Sequence, residues 1–327
     1  MSEVPGRDEA APPAVPDQWV DVAGTRVRYT ERPGPQDGPT FVLVHGLGGA
    51  LTNWDSLAPL LQAYGRVLAL DLGGFGLTKV DPRKASVAEN QRLLAGFLRA
   101  LDLREVVLVG NSMGGLLAAM QAAAEPDSVR AVVLVDPVLP QHPRQRPHPM
   151  VLAVFGLYLV PPIGRRLIDG RAKRLTPEQL TTETFALVVA HLSKVPRWLI
   201  DRHVELARGR VADDTGAATP SFLAAARSVV LTGLRAPSYQ RLLGGLTQPV
   251  LLLHGDKDKL VSVKAARAAA QRHPSWTYAE GHDLGHCPMF EDPAWVRDQI
   301  VGWLGSQGLL PDEAGQPRQA GRRGGAG

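Results

Sequence analysis

Residues 106–122 constrain the fold more than any other stretch of this chain. Val106-Val107-Leu108-Val109 is an apolar run of strand length, and Leu116 to Ala122 reads as a helix. Only Gly110-Asn111-Ser112-Met113-Gly114-Gly115 joins them. A strand that turns straight into a helix needs small residues at the bend, and Gly110 and Gly114 meet that need. The turn is a G-x-S-x-G pentapeptide, which pushes the Ser112 hydroxyl outward at the N-terminus of the helix. An ordinary glycine-rich turn with a capping serine has the same local pattern, so the rest of the chain has to decide.

Apolar runs of strand length recur on both sides. Phe41-Val42-Leu43-Val44, Val67-Leu68-Ala69-Leu70, Val129 to Val135 and Val250-Leu251-Leu252-Leu253 are continuous, as strands buried on both faces are. Trp19–Val22 and Arg26–Thr30 flank Gly24 and predict a hairpin. Helical patterns lie between them at Asn53–Tyr64, Ser86–Leu101, Val263–Arg272 and Pro293–Leu304, with a short strand at Trp276-Thr277-Tyr278. Ser86 followed by Glu89 is a capping-box pattern. This alternation predicts an α/β fold with a mostly parallel central sheet flanked by helices.

The rhythm breaks after the strand ending at Asp136. Residues 138–246 are proline-punctuated and helical in pattern, which predicts a helical cap inserted into a core formed by 17–137 and 247–306. The acidic, Pro-rich N-terminus, 1–16, and the Gly-, Arg- and Pro-rich tail, 307–327, are expected to be disordered.

The 327 residues, 44% of them apolar, suffice for one large domain with such an insertion. The net charge of +4 comes without a basic stripe interleaved with aromatics, so no nucleic-acid partner is expected. Cys287 is the single cysteine, which excludes an internal disulfide and a Cys/His zinc site built on several cysteines. With an N-terminus that lacks an apolar core segment, this predicts a cytoplasmic location. The most apolar window, Val151–Val160, has ten residues where a bilayer span needs roughly twenty. No transmembrane segment is expected, although the window is compatible with weak contact between the cap and a membrane surface. The oligomeric state is not legible in the sequence.

A serine hydroxyl needs a base, and the base needs a carboxylate to orient it. In sheets of this kind such groups collect at the carboxyl ends of strands. Two later loops qualify. His254-Gly255-Asp256-Lys257-Asp258 follows one predicted strand, and Gly281-His282-Asp283-Leu284-Gly285-His286 follows another. Acyl transfer also needs two N–H donors for the developing oxyanion. Met113, the residue after the serine, offers one at the helix N-terminus. The loop His45-Gly46-Leu47-Gly48-Gly49 after the Phe41–Val44 strand is placed to offer the second.

Over roughly residues 18–305 the chain resembles the serine-nucleophile branch of the α/β-hydrolase fold family, which includes esterases, lipases and C–C hydrolases of ring-cleavage products. The G-x-S-x-G turn, the Gly255-Asp256-Lys257-Asp258 loop and Gly285-His286-Cys287-Pro288 carry the likeness. The resemblance implies Ser112 as nucleophile, Asp258 as acid, His286 as base and the Leu47 N–H as the second oxyanion donor. Gly46, Gly48, Gly110 and Gly114 shape the supporting loops, and His45 is expected to be structural. Asp256 and Asp136 are the competing acids, Asp136 because a minority of relatives use the end of that strand. His282 is the competing base but lacks the Gly-His-x-Pro context. Cys287 is expected to be a packing residue.

Asp71-Leu72-Gly73-Gly74-Phe75-Gly76-Leu77-Thr78 lacks the Lys-Ser/Thr of a P-loop and the third glycine of a dinucleotide fingerprint. It is expected to be structural, and no cofactor or metal is implied. Dehalogenases and epoxide hydrolases of this fold use an aspartate nucleophile, so a serine points to an acyl-enzyme and a small-molecule acyl substrate. Hydrolysis of a carboxylic ester is the expected reaction. C–C cleavage of a ring-cleavage diketone is the alternative, against which stands Cys287 where those enzymes usually carry Trp. Perhydrolysis is a third possibility, and a non-catalytic ligand-binding protein on the same scaffold a remote one. Val151–Val160 and Phe185–Val189 either line an acyl pocket or form the cap's own core.

Overall fold

The computed structural model describes residues 6–140, 156–212 and 216–311. Eight strands form one sheet in the order β1-β2-β4-β3-β5-β6-β7-β8. They are β1 (Gln18–Val22), β2 (Thr25–Arg32), β3 (Thr40–Val44), β4 (Arg66–Leu70), β5 (Val106–Asn111), β6 (Val129–Val135), β7 (Val250–Gly255) and β8 (Thr277–Gly281). β1 and β2 pair antiparallel, as do β2 and β4, and the neighbouring pairs from β4 through β8 are parallel.

The continuous apolar runs are explained by burial on both faces. Val42, Val44, Leu68, Leu70, Leu108, Val132, Leu134, Val250 and Leu252 join one core cluster. Their neighbours Phe41, Leu43, Val67, Ala69, Val109, Ala131, Val133, Leu251 and Leu253 join the other. The pleat sends successive side chains to opposite faces, so a strand covered twice needs no polar positions. The helices Val87–Ala100, Met113–Ala124 and Val263–Arg272 cover the first face, and Pro293–Ser306 helps to cover the second.

Several boundaries differ from the sequence reading. Asn53–Tyr64 is not one helix but a 3-10 turn at Leu51–Trp54 followed by a single turn at Ala58–Leu61. The last strand runs past Tyr278 to Gly281, because its pairing with Leu251–Gly255 continues that far. Ser86 does cap its helix, accepting from the Glu89 N–H at 3.3 Å.

The segment between β6 and β7 is helical, with Pro161–Arg174, Pro177–Val188, Arg197–Ala212, Ala218–Leu234 and Ala236–Gly244. Its buried side chains do not make a separate core. Phe185, Val189, Leu199 and Ile200 belong to the second cluster, and Phe185 stacks on Phe290 with ring centroids 5.0 Å apart. Ala225, Val229, Tyr239 and Leu243 belong to the first. Residues 151–155 of the apolar window lie outside the described residues; Leu157 and Val160 from its end are exposed.

The terminal stretches described here are held in place. Arg7 exchanges backbone hydrogen bonds with Val195 (2.8 Å) and Arg197 (3.0 Å), and Leu309 N–H donates to Leu304 O at 2.9 Å. Residues 1–5 and 312–327, also read as disordered, lie outside the described residues. No described helix is long and apolar enough to cross a membrane.

Candidate active site

Ser112 sits between β5 and the helix Met113–Ala124 with φ 55° and ψ −116°. That is a left-handed backbone for a residue with a side chain, and such conformations cost on the order of 1–3 kcal/mol. The surroundings hold it there. Its N–H donates to Val135 O at 3.1 Å, and its carbonyl accepts from Val138 N–H at 3.1 Å. The helix behind it packs so close to β3 that a methyl group at Gly114 would stand 2.0 Å from Val44 O. Gly110 is equally tight, with the Gly114 carbonyl oxygen 2.3 Å from where its Cβ would be.

β7 and β8 carry the two later loops to the same edge. His286 Nδ1 lies 2.7 Å from Asp258 Oδ2, with both side chains almost wholly buried. Asp258 Oδ1 accepts from Leu260 N–H (2.7 Å) and Val261 N–H (3.0 Å). Burial pushes the Asp258 carboxyl up, but the His286 charge and hydrogen bond outweigh it and hold the group below the usual carboxylate range. A carboxylate facing Nδ1 fixes the proton there and leaves Nε2 as the basic nitrogen. The serine turn and the histidine loop are tied directly: Asn111 Nδ2 donates to His286 O at 2.9 Å.

The loop after β3 closes the third side. A side chain at Gly46 would come within 2.9 Å of Ser112 Cβ, so this loop lies against the serine. Leu47 follows, half-buried, and Gly48 adopts φ 76°. Met113 opens its helix, so its N–H has no intrahelical acceptor one turn back. His45 is engaged elsewhere. Its Nε2 accepts from Leu72 N–H at 3.0 Å, so Nδ1 carries the proton and donates to Gly46 O at 2.7 Å. Complete burial, opposed by the Asp71 charge, lowers its pKa. His45 thus joins its own loop to the Asp71–Thr78 segment. Asp71 in turn accepts from Leu51 N–H and Leu77 N–H, each at 2.7 Å, and pairs with Arg28.

The competing residues make other contacts. Asp256 accepts from Asp283 N–H at 2.8 Å and lies 3.0 Å from Nδ1 of His282, whose side chain is 89% exposed. Asp136 is buried at the end of β6, with no contact to His286 among the described hydrogen bonds and ion pairs. Burial above all pushes the Cys287 thiol well up, which makes it inert at neutral pH.

Three residues escaped the sequence reading. Glu291, buried, accepts from Gly285 N–H (2.7 Å) and His191 N–H (2.9 Å) and so clamps the histidine loop to the inserted helices. Asn111 was visible only as the variable residue of the pentapeptide. His254 lies fully buried beside Asp136 and Asp258, and these three groups place ligand atoms within 4.8 Å of one another. That spread suits an ion, but Asp258 already accepts from Leu260, Val261 and His286, most of the roughly four sites a carboxylate has.

The fold agrees with comparison to known proteins. The chain belongs to the α/β hydrolase fold family, which it matches over residues 39–293. The dihydrolipoyllysine-residue acetyltransferase component of the acetoin cleaving system of Cupriavidus necator is 28% identical over 276 residues, covering 84% of this chain and 65% of that protein. The chain therefore spans less than two thirds of that relative's length. A 2-hydroxy-6-oxononadienedioate/2-hydroxy-6-oxononatrienedioate hydrolase of Cupriavidus pinatubonensis is 26% identical over 275 residues, covering 82% of this chain and 87% of that one. Among solved structures, a thermophilic esterase from Thermogutta terrifontis superposes with a TM-score of 0.63 at 25% identity, covering 89% of this chain and 98% of that one.

Proposed function

We propose that the protein hydrolyses carboxylic esters through an acyl-enzyme on Ser112. The observation that carries this reading is the buried 2.7 Å contact of His286 with Asp258, tied to the Ser112 turn through Asn111. In this reading His286 Nε2 takes the Ser112 proton as Oγ attacks the ester carbonyl. Asp258 stabilises the imidazolium, and the N–H groups of Leu47 and Met113 receive the oxyanion. His286 then protonates the departing alkoxide, and water, deprotonated by the same histidine, releases the acid.

Residues 17–137 and 247–306 act as the catalytic core and 138–246 as a cap that selects the substrate. Contact supports this: a side chain at Gly48 would stand 3.2 Å from the Phe222 ring, so an inserted helix covers the oxyanion loop. Phe222 meets Tyr158 edge-on at 5.5 Å, which puts aromatic surface over that loop.

The test is turnover of short and medium p-nitrophenyl esters, with labelling by a fluorophosphonate probe. Ser112→Ala abolishes both. Wild-type protein that neither labels nor turns over any ester sinks the reading. The relative from Cupriavidus pinatubonensis favours a second one, C–C hydrolysis of a ring-cleavage diketone by the same residues. Release of acid and dienoate from such a diketone, much faster than any ester turnover, would select it.

A further inference from the structure

Beneath Asp258 lies a second carboxyl group that the proposed reaction does not use. Asp136 and His254 are both wholly shielded from solvent. Asp136 Oδ1 accepts from Gly255 N–H at 2.9 Å, while Oδ2 has no hydrogen-bond partner. His254 Nε2 lies 3.0 Å from Val261 O, and a carbonyl only accepts, so Nε2 carries the ring proton. Nδ1 of the neutral ring is then a bare lone pair, without a hydrogen-bond partner and 3.6 Å from Asp136 Oδ1. Asp258 completes the cluster, its ligand atom within 4.8 Å of the other two.

We infer that Asp136 is a protonated carboxylic acid whose O–H faces Asp258, so that Asp258 is the charged member of the carboxyl pair behind His286. The inference rests on the reading of Asp258 and His286 given above, and it makes Asp136 a positioning residue. An ionised Asp136 would face a second carboxylate and a ring lone pair with one N–H in compensation, and two carboxylates this close in a dry site do not both ionise. One proton on Asp136 removes the charge repulsion between the two carboxyl groups and supplies an O–H donor toward Asp258. Asp258 keeps its charge because Leu260, Val261 and His286 all donate to it. The other titratable groups facing this spot oppose ionisation of Asp136 as well: Glu291, from the helix Pro288–Glu291, adds negative charge, and Cys287 is a neutral thiol. Burial first and the Asp258 charge second push the Asp136 carboxyl well above its ordinary range.

The consequence falls on His286. A donor to Asp258 makes it a weaker base, so that it stabilises the imidazolium formed in the reaction less strongly. The first test needs no activity: carboxyl-carbon NMR of the whole protein labelled with 13C-aspartate. One aspartate carboxyl should keep the shift of a protonated acid through neutral pH and vanish in Asp136→Asn. Aspartates that are all ionised at neutral pH would overturn the inference.

The second test is the pH profile of fluorophosphonate labelling at Ser112. Asp136→Asn exchanges an O–H donor for an N–H donor at equal charge, so the acid limb should move by less than about 0.3 pH unit. Asp136→Ala removes the donor, leaves Asp258 more basic, and should move the limb upward. A charged Asp136 gives the opposite sign: Asp136→Asn would delete a negative charge and move the limb down, and that result refutes the proposal. Should wild-type protein fail to label, the reading of Ser112 falls while the NMR result still decides the state of Asp136.

Discussion

Two Asp–His pairs stand almost side by side at the ends of β7 and β8. Asp258 with His286 and Asp256 with His282 have nearly the same separation in sequence and similar contact distances, 2.7 and 3.0 Å. They differ in surroundings. The His286 side chain is 4% exposed and its aspartate 0%, whereas the His282 side chain is 89% exposed. Out of water, a carboxylate can hold one tautomer of a ring and stabilise the cation that forms; at the surface, water and salt screen the same pair to little effect. Chemistry-bearing residue types in the right spacing are therefore common, and burial selects among them.

The largest expected difference between the pairs is in their histidines. His286→Ala should lower ester turnover by about 10⁴-fold or more, while His282→Ala should change kcat by about twofold at most. Comparable losses in the two variants would break the comparison.

The aspartates should separate less widely. Asp258→Asn presents the wrong group to Nδ1 and is expected to cost on the order of 10³-fold in kcat. Asp256→Asn weakens only the bond to the Asp283 backbone and should cost about tenfold or less. Retention of full rate in Asp258→Asn would overturn the assignment of the acid.

Glu291→Gln tests what keeps the His286 loop in place. It weakens the acceptance from Gly285, Ala190 and His191 N–H groups in a buried site. A loss of about 2 kcal/mol is expected, read as a fall of several degrees in Tm, with kcat reduced about tenfold.

The smallest effect belongs to the exposed side of the comparison. Hydrogen bonds from Lys194 and His191 lower the Asp283 carboxyl to about 2. A depressed folded-state value means that the unfolded chain binds the proton first as pH falls. The stabilisation is therefore complete above the ordinary aspartate value near 4 and is lost as pH drops toward 2. Asp283→Asn should lower Tm slightly at neutral pH, and the gap to wild type should close over that acid window. A gap that widens on acidification would contradict the pairing.

Much of the architecture was legible because its signals are local or periodic. The buried strands announce themselves as unbroken runs of Val, Leu and Ala, and the serine turn as a G-x-S-x-G between a strand and a helix. His45, expected to be structural, joins its own loop to the segment after Asp71. The misreadings share a cause. Asn53–Tyr64 has helical residues, yet Leu51 N–H and Ala50 N–H bond to the side chains of Asp71 and Asn53, which shape the start of the segment as a turn. Phe185 has the pattern of a cap-core or pocket residue, yet it stacks on Phe290, which follows the insertion in sequence.

By itself, then, the sequence determined the alternation of strands and helices, the bend that carries Ser112 and the residue types available at later strand ends. Only the tertiary structure decided that His286 and not His282 is sequestered, that Glu291 clamps its loop, and that Asp136 and His254 lie beneath Asp258. The reason is physical. A pattern along the chain encodes which surfaces must leave water, but the ionisation of a side chain depends on the few ångströms around it, and those neighbours arrive from distant strands.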